Sequence, residues 1–143
     1  MTNKELALSY LEKGFSVIPV WSPEMVKTKP TRDFVDNLKK ALAKNKDNGS
    51  PISEEEIFKK HITKQCKIPV IKWREFETKL PTKDQVHHWF TMNPDANIGI
   101  ITGKVSGIVV FDLDSPEAVE YAEEMGGFPE TVKVKTKRVF MSI

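Results

Sequence analysis

The chain is poor in the residues that staple or anchor a protein. Among its 143 residues Cys66 is the only cysteine, which rules out an intrachain disulfide and leads us to expect a reducing compartment. Histidine is scarce too, at three residues. His61 and Cys66 are five apart, and His87 and His88 are neighbours on an expected helix, so neither pair has the spacing of a zinc site. No run approaches the ~18 apolar residues of a membrane span, and the N-terminus lacks an apolar signal core. The expectation is a cytoplasmic protein with no membrane partner. An excess of one charge is also missing: 22 basic against 20 acidic side chains leave +2, which alone does not argue for nucleic acid. There are no repeats and no low-complexity tract.

Charge is informative in its distribution. From Lys27 to Lys46 there are seven basic residues, Lys27, Lys29, Arg32, Lys39, Lys40, Lys44 and Lys46, against Asp33 and Asp36. From Asp112 to Glu124 there are six acids and no base. A basic region and an acidic centre suit a polyanionic ligand met through a metal, and they also suit two ordinary solvated faces.

The apolar pattern predicts alternating helices and strands. Thr2 to Lys13 reads as a helix stopped by Gly14, and Phe15 to Trp21 as a strand that, because of Pro19, lies at an edge or ends there. Pro23 to Pro30 reads as a loop, and Asp33 to Lys46 as a basic amphipathic helix with Phe34, Val35, Leu38, Ala41 and Leu42 on one side. After a turn-rich break, Ser53 and Glu56 suggest a capping box opening a helix to about Ile62. Lys67 to Phe76 is expected to be extended or irregular. Thr82 should cap a helix whose apolar stripe is Val86, Trp89 and Phe90. Two strands flanking the turn Thr102 to Gly107 read as a hairpin with a longer loop. Ser115-Pro116-Glu117 is an N-cap, a proline at the first helical position and an acid in the first turn, for a helix running to Met125. Thr131 to Thr136 and Val139 to Ile143 are strand candidates. One domain of α/β (α+β) class is expected over 1–143, with a mixed, largely antiparallel sheet, helices packed on it and a basic insertion at about 22–66.

The best candidate for a chemical centre is Asp112-Leu113-Asp114, at the end of the apolar run Ile108 to Phe111. Strand residues two apart point to the same side, so the two carboxylates should project together and repel. Such a pair shares a proton, sits in water or binds a cation. Oxygen ligands of this kind suit Mg²⁺ or Mn²⁺. The plain alternative is an acidic strand end leading into the next helix. The turn Thr102-Gly103-Lys104-Val105-Ser106-Gly107 lacks the spacing of a phosphate-binding loop and reads as a turn that uses glycine for positive φ. Trp73, Trp89 and Phe90 read as core, with nucleobase stacking at Trp73 a minor alternative. On a strand, Lys133, Lys135 and Lys137 share a face that could meet a triphosphate or a DNA backbone, or solvent.

Together these pieces resemble the N-terminal primase–polymerase domain of bifunctional replication proteins from plasmids and phages, in the archaeo-eukaryotic primase superfamily. The matching segments are Ala7 to Val20, Lys67-Ile68-Pro69-Val70-Ile71-Lys72-Trp73, Pro81-Thr82 through Trp89-Phe90, Asn97-Ile98-Gly99-Ile100 with Thr102-Gly103 and Ser106-Gly107, the Asp112/Asp114 pair, and Pro129 to Thr136. The stretch from about Ser22 to Cys66 looks like an insertion. The resemblance implies an archaeo-eukaryotic primase-like fold and DNA primase and polymerase activity in the replication of a mobile element. Asp112 and Asp114 would be catalytic and would hold Mg²⁺ or Mn²⁺. Lys133, Lys135, Lys137 and Arg138 would contact phosphates, and Lys27, Lys29, Arg32, Lys39 and Lys40 would contact nucleic acid. The partners implied are a single-stranded DNA template, nucleoside triphosphates and a helicase-like replication protein.

The chain departs from the family after Thr136, where a glycine-rich turn and a histidine are expected. Lys137 to Ile143 contains neither, and no third metal-binding acid follows. The C-terminal end therefore looks truncated or altered, and weak or absent activity is expected of the chain by itself. A second reading is a non-catalytic remnant of the same fold that binds single-stranded nucleic acid or a partner. A third is a phosphatase of the haloacid-dehalogenase type, suggested by Phe111-Asp112-Leu113-Asp114 and opposed by Ser115-Pro116 where that family has Gly-Thr.

Overall fold

The computed structural model describes residues 1–113, 115–127, 130–131, 133–135 and 140–142. The chain opens with α1 (Asn3–Glu12), whose first turn is closed reciprocally: the Glu5 N–H donates to Thr2 Oγ1 at 3.2 Å and the Thr2 N–H to Glu5 Oε2 at 3.1 Å. Strand β1 (Ser16–Val20) follows and pairs antiparallel with β2 (Asn97–Ile101), with Ile18 opposite Gly99. Helix α5 (Lys83–Met92), capped reciprocally by Thr82 and Gln85, packs with α1 on one face of this pair.

Ala7, Val17, Val86, Phe90 and Ala96 form the buried centre between those layers, with Leu8, Leu11, Trp89, Ile98 and Ile100 packed around it. Phe76 is 1% exposed and meets the Trp89 ring edge-on at 5.1 Å. Burying a side chain of the size of Phe76 or Phe90 contributes about 1.5–3 kcal/mol.

The segment 67–70 lies along the other edge of β1. The Trp21 N–H donates to the Ile68 carbonyl at 3.0 Å and the Val70 N–H to the Pro19 carbonyl at 2.9 Å. Pro19 has no N–H to return, so this pairing stays a single bridge between Val20 and Pro69. The proline therefore thins one edge of the strand, as its position predicts.

Between β1 and that segment stand α2 (Pro23–Thr28), α3 (Arg32–Lys46) and α4 (Glu54–Gln65). Phe34 of α3 meets Phe58 of α4 at 6.3 Å, with Ile57 buried beside them. The Asn45 side chain closes the α3–α4 turn by donating to the Ile52 carbonyl at 2.8 Å and accepting its N–H at 3.0 Å. Helix α2 corrects the expected loop at 23–30: Ser22 caps it through the Met25 N–H and Pro23 stands at its start, the signature also present at Ser115-Pro116. At Ser53 only half of the expected capping box forms, the Glu56 N–H to Ser53 Oγ bond, and α4 continues past Ile62 to Gln65.

The hairpin expected around Thr102 to Gly107 is also corrected. It shrinks to a single bridge between Gly103 and Ile108. β2 pairs with β1, and β3 (Phe111–Leu113) joins a second sheet of order β3-β5-β4 with β5 (Phe140–Ser142) and β4 (Lys133–Lys135), all antiparallel. The reason lies in β2, whose Ile98 and Ile100 pack on the buried centre and whose Gly99 lies close against Ile18 and Val20, so it pairs with β1 rather than with its sequence neighbour. Helix α6 (Pro116–Glu124) follows β3, capped by Ser115 as predicted. The architecture is α+β with small antiparallel sheets. Among the described residues no helix is long and apolar enough to cross a membrane.

Candidate functional site

On the side of the β1–β2 pair away from α1 and α5 lies an open groove of about 560 Å³, within the size range of small-ligand sites. Strand alternation sends Val17 into the core and turns Ile18 and Val20 to the groove, where Gly99 and Ile101 join them as its floor. Gly99 is required there: a Cβ at that position would stand 2.7 Å from Val20 Cγ2 and 3.3 Å from Ile18 Cγ1. Lys67 and Pro69 form one wall, Trp73 and Glu77 another, and Thr102 the end. Trp73 is half-buried and lines this groove, which corrects its expected place in the core. The Arg74 guanidinium lies 5.5 Å from its ring centroid.

The end of the groove is held by hydroxyl groups. Ser106, buried, accepts the Ser16 N–H at 2.9 Å and donates to the Ile101 carbonyl at 2.5 Å, tying the start of β1 to the end of β2. Ser16 Oγ donates to the Phe76 carbonyl at 2.8 Å. The turn Thr102 to Gly107 is thus a buckle, and its two glycines take positive φ, 96° and 65°, as the sequence predicts.

Asp112 is the central residue of β3, opposite Met141. Its side chain is exposed and has no hydrogen bond or ion pair among the described residues. A solvent-facing carboxylate is a hard oxygen donor that fits a divalent cation keeping several waters. Asp114 lies outside the described residues, as do Lys137 and Arg138. The backbones of Lys133 and Lys135 are in β4, two strands from β3 and about 10 Å across the sheet. In the ladder they align with Phe111 and Leu113, and Val134 aligns with Asp112.

Lys27, Lys29, Arg32, Lys39 and Lys40 are exposed on α2, α3 and the connection between them. Arg32 lies 4.0 Å from Asp36, a pair of little energetic weight in water. His87 and His88 are exposed on α5. Burial pushes the Cys66 thiol above its ordinary value, and the Glu24 carboxylate adds to the effect. Cys66 is therefore a poor nucleophile at neutral pH.

A family model described as "Bifunctional DNA primase/polymerase, N-terminal" matches residues 7–140. The chain belongs to this family. No curated protein and no solved structure matches it.

Knowing that this is a primase–polymerase domain makes the groove legible. Its lining comes from three segments far apart in sequence, at 18–20, 67–77 and 99–102, each carrying a piece of the family pattern. Sequence reading found the segments and missed that they converge. Lys67, Glu77 and Thr102 were not read as site residues, because only the pairing of β1 with β2 on one edge and with the 67–70 segment on the other brings them together. The one available signal was Gly99, a glycine inside an apolar strand, which marks close approach of another chain segment or a ligand.

Proposed function

We propose that this chain is a metal-dependent DNA primase and polymerase domain, serving replication of a mobile element in the cytoplasm. The observation carrying this reading is the convergence of the family's separate motifs on one groove floored by Gly99. Trp73 offers an aromatic face to a base or deoxyribose, and the Lys67 ammonium offers charge to phosphate. Asp112, with Asp114, would hold Mg²⁺ or Mn²⁺. Bound there, the ion would lower the charge of a triphosphate and favour attack by a primer hydroxyl. Lys133, Lys135, Lys137 and Arg138 would contact phosphates. A single-stranded template, nucleoside triphosphates and a helicase-like protein are the proposed partners. Synthesis by the 143-residue chain alone should be weak, because Lys137 to Ile143 supplies neither glycine nor histidine.

The test is calorimetric titration of Mn²⁺ into the protein and into Asp112→Asn, with and without a nucleoside triphosphate. Binding should be tightened by nucleotide and lost in the variant. With the replication partner present, primer extension should fall about 10²–10³-fold in the variant. Absence of Mn²⁺ binding in both proteins would refute the catalytic reading. The exposed cations of α2 and α3 would then favour a second one, a non-catalytic module for single-stranded DNA or a partner protein.

A further inference from the structure

A second recess lies on the other side of the Lys67–Val70 edge. It is a crevice of about 730 Å³ between α3, α4 and the residue after β1. Trp21 and Ile68 form its apolar wall, and Asn37, His61, Lys64 and Asp33 its polar one. We propose that this crevice holds one unpaired nucleotide of single-stranded DNA outside the catalytic groove. The inference rests on reading the chain as a DNA-synthesising domain, and it concerns residues largely in the 22–66 stretch that the family pattern leaves unexplained.

The chemistry is that of a stacking platform beside a cation. The Trp21 backbone is anchored on both sides: its amide N–H donates to the Ile68 carbonyl, and its carbonyl accepts from Asn97 Nδ2 at 3.4 Å. Ile68 is 47% exposed, an apolar surface that a base would cover. His61 Nδ1 lies 2.9 Å from the Ile57 carbonyl, which can only accept, so the ring donates there and a neutral imidazole keeps Nε2 as an acceptor. Asn37 and Lys64 have no side-chain hydrogen bond or ion pair among the described residues, leaving an amide for a base edge and an ammonium for a phosphate. Lys60 stands one turn before Lys64 on α4, exposed, and extends the positive line. Asp33 disfavours a phosphate on its own side and suits the exocyclic amine of a base.

Continuity with the groove selects a strand over a free nucleotide. Lys67 and Pro69 face the groove while Ile68, between them, faces the crevice. A strand rounding this edge passes from one recess to the other. A stacking face beside a cation suits a base whose own faces are free, which is the unpaired base of a single strand.

The test combines photo-crosslinking and affinity. A single-stranded oligonucleotide carrying 5-iodouracil should crosslink to peptides containing Trp21 or His61. Trp21→Leu should weaken binding of a labelled oligothymidylate about tenfold. Lys64→Glu, at the crevice rim, should weaken it several-fold and reduce the salt slope by about one. If Trp21→Leu does not fold, Lys64→Glu and Asn37→Ala carry the test. Crosslinks confined to Trp73 and Lys67, with affinity unchanged in these variants, would overturn the inference and leave the catalytic reading standing. Crosslinks in the crevice that persist without any Mn²⁺ binding would do the reverse. Competition by free thymidine monophosphate at the oligonucleotide's own nucleotide concentration would overturn the assignment to a strand.

Discussion

The two sheets of this domain are built very differently. The β1–β2 pair is walled by α1 and α5, pinned by Ser106 and Ser16, and surrounds side chains such as Val17, Val86 and Phe90 that are at most 1% exposed. The β3 platform carries Asp112 on a three-residue strand, and the helix after it, α6, has no buried residue among those described. Tyr121 and Met125 on that side are 65% and 71% exposed. The contrast separates two requirements of a polymerase domain. A groove that selects by shape must exist before its ligand arrives. On the proposed reading, Asp112 would work through a hydrated cation and would need access to water, and the rest of its scaffold would be completed by what binds.

The comparison breaks first at Phe90. It stands at the centre of the helix-covered core, 1% exposed, and Phe90→Ala should cost about 3–5 kcal/mol. Urea unfolding would read this as a large fall in midpoint. A loss under about 1 kcal/mol would mean that the first layer is not the stable part of the molecule.

What the sequence made legible follows locality. The caps at Thr82 and Ser115 were readable because each bond spans three residues. Helix α3 was readable from its stripe, since Phe34 is buried and Leu38, Ala41 and Leu42 half-buried. Helix α2 was missed although Ser22-Pro23-Glu24 carries the same signal as Ser115-Pro116-Glu117, because its six residues hold too short an apolar pattern. Strand partnership was the real gap. The apolar runs at 97–101 and 108–111 read as partners because they are neighbours in sequence, while Gly99 accepts Ile18 and Val20 with no Cβ in the way. Asp112 was singled out as a candidate by its place at the end of an apolar run, and the groove was not, because a recess made from three distant segments has no local signature.

A middle-sized effect is expected at Gly99. The Cβ of Gly99→Ala would press on Val20 Cγ2 across the groove floor, where β2 is paired with β1. The cost should be about 1–3 kcal/mol of stability. Nucleotide binding in the groove should fall with it, while crosslinking at Trp21, on the other side of the edge, should persist. Equal loss at both places would show that the two recesses respond as one unit and that the layers are coupled more tightly than their separate walls suggest.

The smallest effect sharpens the comparison most. Tyr121 sits on α6 with two thirds of its surface in water, so Tyr121→Ala removes little that folding had buried. Its stability cost should stay within about 0.5 kcal/mol, the range of ordinary surface changes. A cost near that of Gly99→Ala would mean that the ring is covered in solution, and the platform would then be a second packed layer. A near-zero cost, alongside the heavy penalty at Phe90, would place the stability of the domain in the layer that shapes the groove. The acidic strand would then be free to be ordered by nucleotide, cation or partner.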